Sequence, residues 1–156
     1  PTPDRVREQV FNWLGQRLNE QKVLDLFGGS GVMAFEAASR GASQVDVVEL
    51  NRRTVQNMRS VIQELQLEQV NVHLQDAKAY LQAASAVYDV IVLDPPYRWQ
   101  EWDVLWDLLQ THCHKGSVLY IEAGQLPQLP EWLQWSKQDK AGQSHYGLAL
   151  VQDIDL

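Results

Sequence analysis

Lys22-Val-Leu-Asp-Leu-Phe-Gly-Gly-Ser-Gly31 decides the fold. A short apolar run, 22–27, reads as a buried strand, and it runs straight into glycines that let the backbone turn sharply. Residues 32–40 follow with helical character, and Gly41 stands where a helix ends. Strand, glycine turn and helix together open a βαβ unit, with the helix N-terminus aimed at whatever lies above the strand. The alternation continues outward. Residues 44–49 read as a second strand, and Asn51 caps a helix carrying Val55, Met58, Ile62 and Leu65. A third strand at 70–74 precedes a short helix at 77–83. A fourth at 87–93 precedes a helix at 101–113, and a fifth is expected at 117–122. Strands that alternate with helical patterns call for a parallel sheet covered on both faces.

Upstream, Val6, Val10, Trp13, Leu14 and Leu18 recur at helical spacing, with Thr2 as the expected N-cap and Pro3 at the first helical position. Downstream the alternation breaks. Residues 132–137 and 145–152 read as two strands joined by a polar loop around Lys140-Ala-Gly-Gln143, with no helix between them. Adjacent strands without a crossover pair antiparallel, so the sheet is expected to contain seven strands, mostly parallel, with the terminal strand reversed.

The 156 residues match one domain, 1–156, with 45% hydrophobic and 21% charged residues, an ordinary globular balance. The longest aliphatic runs, 90–93 and 148–151, fall far short of the ~20 residues that span a bilayer, so no membrane partner is expected. The first residues show neither the layout of a signal peptide nor a Met, and a processed or trimmed chain is expected. A lone cysteine, Cys113, excludes a disulfide framework and a cysteine zinc cluster, and favours a cytoplasmic location. The formal charge of −7 repels nucleic acid on average, so a nucleic-acid role must rest on local features or on residues outside this chain.

In an open α/β sheet, ligands bind beyond the carboxyl ends of the strands. Four polar features fall there: Asp25 with Gly28, Gly29, Ser30 and Gly31; then Glu49; then Asp76; then Asp94-Pro95-Pro96-Tyr97. Glu49 lies 18 residues beyond Gly31, about the offset at which an acid accepts ribose hydroxyls. Asp76 can cap a helix and also face an adenine. Gly29-Ser-Gly31-Val-Met-Ala34 also fits the dinucleotide fingerprint, which keeps a nicotinamide-dependent dehydrogenase in contention. The fourth strand end separates the two. Consecutive prolines fix two φ angles and present carbonyl oxygens beside the acceptor carboxylate of Asp94. That pairing suits an NH₂ group, and Tyr97 offers a face on which a base can stack. A hydride-transfer enzyme has no use for it.

Asp25-Leu-Phe-Gly-Gly-Ser-Gly31, Glu49, Asp76-Ala77 and Asp94-Pro-Pro-Tyr97 resemble the motif set of S-adenosylmethionine-dependent methyltransferases that modify amino nitrogens. Pro1-Thr-Pro-Asp-Arg-Val-Arg-Glu8, Phe11-Asn12-Trp13-Leu14 and Glu36-Ala-Ala-Ser-Arg-Gly-Ala42 are similar to the bacterial RsmD family, which methylates guanine N2 in 16S ribosomal RNA. The resemblance covers nearly the whole chain. It implies a Rossmann-like methyltransferase fold and S-adenosyl-L-methionine as cofactor. The implied cofactor site is Asp25, Phe27, Gly28, Gly29, Ser30, Gly31, Glu49, Leu50, Asp76, Ala77 and Asp94, with catalysis at Asp94, Pro95 and Tyr97 and no metal. The implied partner is 16S ribosomal RNA, naked or in a small-subunit assembly particle, and a monomer is expected. Family members usually carry Ala where Gly28 stands and often Phe where Tyr97 stands. They also carry a basic N-terminal hairpin ahead of the Pro-Thr segment, absent from this sequence.

Competing readings are a DNA adenine-N6 methyltransferase, which usually needs an extra recognition segment, and a glutamine methyltransferase, which would favour Asn over Asp94. From other classes come the dehydrogenase and an idle cofactor-binding module. His112-Cys113-His114 reads as a surface or half-buried helix terminus rather than a metal site, and Trp99, Trp102 and Trp106 as helix packing, with Trp99 able to border the base pocket. The resemblance implies that Arg5 and Arg7 approach the cofactor or RNA, whereas as plain residues of an amphipathic helix they need no function. Arg98 is the RNA-facing charge nearest the base site.

Overall fold

A computed structural model describes residues 3–153. Seven strands form one sheet, flanked by five α-helices. In chain order these are α1 (Asp4–Leu14), β1 (Lys22–Asp25), α2 (Val32–Ser39), β2 (Gln44–Glu49), α3 (Arg52–Leu65), β3 (Val70–Leu74) and α4 (Ala77–Ala83). They continue as β4 (Tyr88–Leu93), α5 (Trp102–Leu109), β5 (Cys113–Ala123), β6 (Leu133–Ala141) and β7 (Ser144–Val151). The spatial order is β3-β2-β1-β4-β5-β7-β6. β1 to β5 pair in parallel, and β7 runs antiparallel to both β5 and β6. The reversed strand is thus last in the chain but interior in the sheet, with β6 at the edge.

Central strands read as continuous apolar runs because both of their faces are covered. Val23, Val45, Val47, Val90, Val92, Tyr120 and Leu148 point to the side packed by α1, α2 and α3. Leu24, Val48, Ile91, Leu93, Leu119, Ile121 and Ala149 point to the side packed by α4 and α5. The period of two places Asp25 on the first face with Val23, and Asp94 there with Val92.

Most local expectations hold. Asn51 caps α3 by accepting from the Thr54 N–H, and Asp76 caps α4. Gly41, at φ 101°, follows the end of α2. Several boundaries differ. β1 ends at Asp25, and Leu26 and Phe27 belong to the turn. Pro3 occupies the N-cap position of α1 rather than its first helical position, and Thr2 lies outside the described residues. The helix expected at 101–113 stops at Leu109, one 3₁₀ turn follows (Gln110–His112), and β5 starts at Cys113 rather than 117.

His112 and Cys113 are therefore no surface helix terminus; both are buried. The two ring nitrogens of His112 lie 2.8 Å from the carbonyl oxygens of Ala86 and Leu81, which tie β5 to α4 and to the approach to β4. Only His114 is exposed, paired with Asp89 at the end of the sheet away from the glycine turn. Trp102 and Trp106 stack at 5.3 Å within α5, as packing residues do. Among the described residues, no helix is long and apolar enough to cross a membrane.

Candidate active site

Strand order reverses at β1. Its chain neighbour β2 lies on one side and β4 on the other, so the carboxyl ends of β1 and β4 border a crevice. A cavity of about 240 Å³ opens there, lined by Asp25, Phe27, Gly28, Gly29, Ser30 and Asp94, with Val32, Met33 and Val92 behind them. Residues far apart in the chain meet because each terminates, or directly follows, a neighbouring parallel strand.

The glycine turn is held by its own backbone: the Gly28 N–H donates to the Val48 carbonyl and the Gly31 N–H to the Gly28 carbonyl. Gly31 has φ 85°, and an added Cβ would lie 2.9 Å from both the Met58 sulfur and the Phe35 ring. At Gly28 an added Cβ would lie 2.3 Å from Cγ1 of fully buried Val47. Val47 thus fills the space that an alanine methyl at position 28 would need.

Glu49 is oriented by two backbone donors. Its Oε1 accepts the Gly29 N–H at 2.9 Å and its Oε2 the Asn51 N–H at 2.7 Å. Each oxygen keeps a second lone pair for a ligand. Asp76, which is exposed, accepts the Lys78 and Ala79 N–H groups on Oδ2, and among the described residues no hydrogen bond reaches its Oδ1. The Gln75 N–H donates to the Glu49 carbonyl and so fastens these two strand ends together. Leu50 is exposed, an apolar surface beside Glu49, while the Ala77 methyl is buried against α4's own core and offers only its backbone to a ligand.

Asp25 and Asp94 face the same cavity. Burial first, then the charges of Asp94 and Glu49, push the Asp25 carboxyl up to about 7 against an opposing hydrogen bond from the Phe27 N–H. Burial first, then the charge of Glu122, pushes Asp94 up to about 7 as well. A cationic ligand relieves both, because it stabilises the charged forms that burial penalises.

Beyond Asp94 the chain opens a second, larger space of about 730 Å³. It is lined by the turn from Pro95 to Gln100, by Trp102 and Asp103, by 123–128 and by Gln143. Tyr97 is 79% exposed, with the Arg98 guanidinium 5.3 Å from its ring centre. Trp99 packs edge-on against Phe27 at 5.4 Å and thereby joins the two spaces. Arg5 is exposed, whereas Arg7 pairs with Asp4 and Glu36 on the α1–α2 surface.

One carboxylate that acts on the site escaped the reading of the sequence. Glu122 is the penultimate residue of β5, next to Ile121, which pairs with Leu93, and its charge acts on Asp94. A carboxylate at a fifth strand end was the available signal.

This strand order, with an acidic residue at or just beyond the ends of β1, β2, β3 and β4, defines the class: the protein has the fold of S-adenosylmethionine-dependent methyltransferases. The residues present fit that cofactor: Asp25 and Asp94, which line the cavity, suit a cation, and Glu49 and Asp76, at the neighbouring strand ends, keep acceptors of the kind that ribose and adenine donors would take. The family model described as "Conserved hypothetical protein 95" matches residues 1–150. The chain is 29% identical over 153 residues to "Ribosomal RNA small subunit methyltransferase D" of Escherichia coli (strain K12), covering 95% of this chain and 77% of that one. Among solved structures, the "Putative methyltransferase yhhF from Escherichia coli" superposes with TM-score 0.90 at 28% identity, covering 99% of this chain and 89% of that one. "A putative sam-dependent methyltransferase from Streptococcus mutans" shares the fold, with TM-score 0.75 at 15% identity, over 94% of this chain and 48% of that one. The chain belongs to the Conserved hypothetical protein 95 family, the RsmD family to which its motifs pointed, and a nicotinamide dehydrogenase is set aside.

Proposed function

We propose that the protein transfers the methyl group of S-adenosyl-L-methionine to the exocyclic N2 of a guanine in 16S ribosomal RNA, naked or within a small-subunit assembly particle. One observation carries this reading: Asp94 lines the smaller cavity and Pro95, the next residue, lines the larger groove. The Asp94–Tyr97 turn is therefore the wall shared by the cavity at the glycine turn and an open, aromatic groove with space for a base. The name of the Escherichia coli relative supports ribosomal RNA as the target.

The bound cofactor supplies a sulfonium methyl that is already activated toward a nucleophile. The residues of the chain do the rest by alignment, which contributes up to roughly 7–11 kcal/mol in favourable cases. The guanine amine is a weak nucleophile, its lone pair being delocalised into the ring. Hydrogen bonds from the amine to Asp94 and to the Pro95 carbonyl turn that lone pair toward the methyl carbon and stabilise the positive charge developing on nitrogen. A charge-assisted bond of this kind is worth about 1.5–3 kcal/mol. With its pKa raised to about 7, Asp94 is also a competent acceptor for the proton that the amine must lose.

The target base must leave its stack to reach the turn. Tyr97, largely exposed at the groove, gives it a new face to stack on. With 20 acidic against 13 basic residues, attraction to phosphate is weak over the surface as a whole. Arg98 beside Tyr97 supplies a positive charge in the lining of the groove.

The test is methyl transfer to small ribosomal subunits from a strain lacking the enzyme, with the product base identified by mass. N2-methylguanine in 16S RNA is the expected product. N6-methyladenine, or label confined to DNA, overturns the reading.

A further inference from the structure

A site that methylates an amino group must tell guanine from adenine. Beside its amine, guanine presents N1–H, a third donor in the same row. Adenine presents a bare N1, an acceptor, beside its own amine. A guanine site therefore gains from a second acceptor next to the one that holds the amine.

Asp94 has such a neighbour. Leu93 and Ile121 are the last pair of the parallel β4–β5 ladder; Asp94 and Glu122 each follow one member of it, and the charge of Glu122 acts on the Asp94 carboxyl. Adjacent parallel strands lie ≈ 4.8 Å apart, and register neighbours project to the same face. Both residues stand one position behind the lining of the groove, which Pro95 and Ala123 begin on either side. Tyr97 bridges the mouth: its ring comes within 3.6 Å of where a Cβ on Gly124 would be. The groove is thus bounded by the two strand ends that carry the carboxylates.

We propose that Glu122 determines specificity at this site, its carboxylate accepting the N1–H of the guanine whose amine is held by Asp94 and the Pro95 carbonyl. The inference rests on the guanine reading above and deepens it.

Glu122 is held in place for such a task. Its Oε1 accepts the hydroxyl of fully buried Tyr120, and its Oε2 accepts the Ser144 hydroxyl from β7 at 3.2 Å. Burial and the charge of Glu122 keep the Tyr120 phenol protonated, so it acts as a donor throughout. Each clamp takes one lone-pair direction of one oxygen and leaves another for a ligand. Adenine in the same pose would set its N1 lone pair against a fixed carboxylate, leaving both acceptors unsatisfied.

Synthetic 16S RNA carrying 2-aminopurine at the methylated position, reconstituted into small subunits, separates the two edges. 2-Aminopurine keeps the 2-amine but has a bare N1. The wild-type enzyme is expected to methylate it at least about tenfold more slowly than guanine. Glu122→Gln is expected to lose at least about tenfold on guanine while keeping the cofactor dissociation constant. Its side-chain NH₂ can donate to a bare N1, so the ratio of 2-aminopurine to guanine turnover rises by more than tenfold. Equal wild-type rates on the two bases overturn the proposal, and this comparison needs no variant to fold. Equal slowing of both bases by Glu122→Gln, or no slowing, also overturns it. Absence of wild-type transfer to guanine N2 in the control arm would instead refute the underlying reading, and this inference with it.

Discussion

Asp25→Asn should make the cofactor-free protein more stable, and only above mildly acidic pH. Asp25 is 2% exposed, and its carboxyl is pushed from 3.8 up to about 7 by burial first and by Asp94 second. Between those two values the folded chain holds a proton that the unfolded chain has released. Stability therefore declines as pH rises from about 4 to about 7, and levels off above that. At 1.36 kcal/mol per pH unit, the full interval corresponds to about 4 kcal/mol. Asparagine has nearly the same shape and carries no ionisable proton, so the variant escapes this decline. Urea denaturation without cofactor is expected to show near-equal stabilities at pH 4 and an advantage for the Asp25→Asn variant approaching about 4 kcal/mol at pH 8. An advantage of the same size at both pH values would refute the argument, since it would then owe nothing to the buried charge. The same substitution should weaken cofactor binding, because the site's instability is what a cationic ligand relieves.

Asp94→Ala is expected to lower methyl transfer at saturating cofactor by about two orders of magnitude or more, a loss that weaker cofactor binding cannot account for. For the wild type with the cofactor as the varied substrate, kcat/KM, which reports the cofactor-free enzyme, should rise with pH around about 7 as Asp94 ionises, and a flat profile between pH 6 and 8 would count against its role as acceptor. Glu49→Ala should weaken cofactor binding roughly 10- to 100-fold by calorimetry, having lost a carboxylate that Gly29 and Asn51 hold in place; unchanged affinity counts against the ribose assignment. Gly28→Ala should destabilise the fold by roughly 1–3 kcal/mol through its clash with Val47. Combined with Val47→Ala it should cost less than the two single changes added together, and strict additivity in thermal unfolding would contradict the contact.

The sequence by itself determined the local pieces and the chemistry of the motif loops. A strand running into Gly28–Gly31, caps at Asn51 and Asp76, and a proline turn after Asp94 depend on residues a few positions apart, and their φ preferences and hydrogen bonds act before any tertiary contact forms. The alternation of strand and helix was legible for the same reason, and so was the reversal of the last strand, because a short link leaves no room for a crossover. Tertiary structure alone decided which strand ends became neighbours. Only the β1–β4 and β4–β5 pairings bring Asp25, Asp94 and Glu122 onto one face. Only the insertion of β7 between β5 and β6 supplies Ser144 to hold Glu122. Burial, which lifts two of those carboxyls to about 7 and hides His112 behind α4, depends on what packs from elsewhere in the chain. Short-range stereochemistry is written residue by residue. The field around a charge is the sum of everything that folding brings near it.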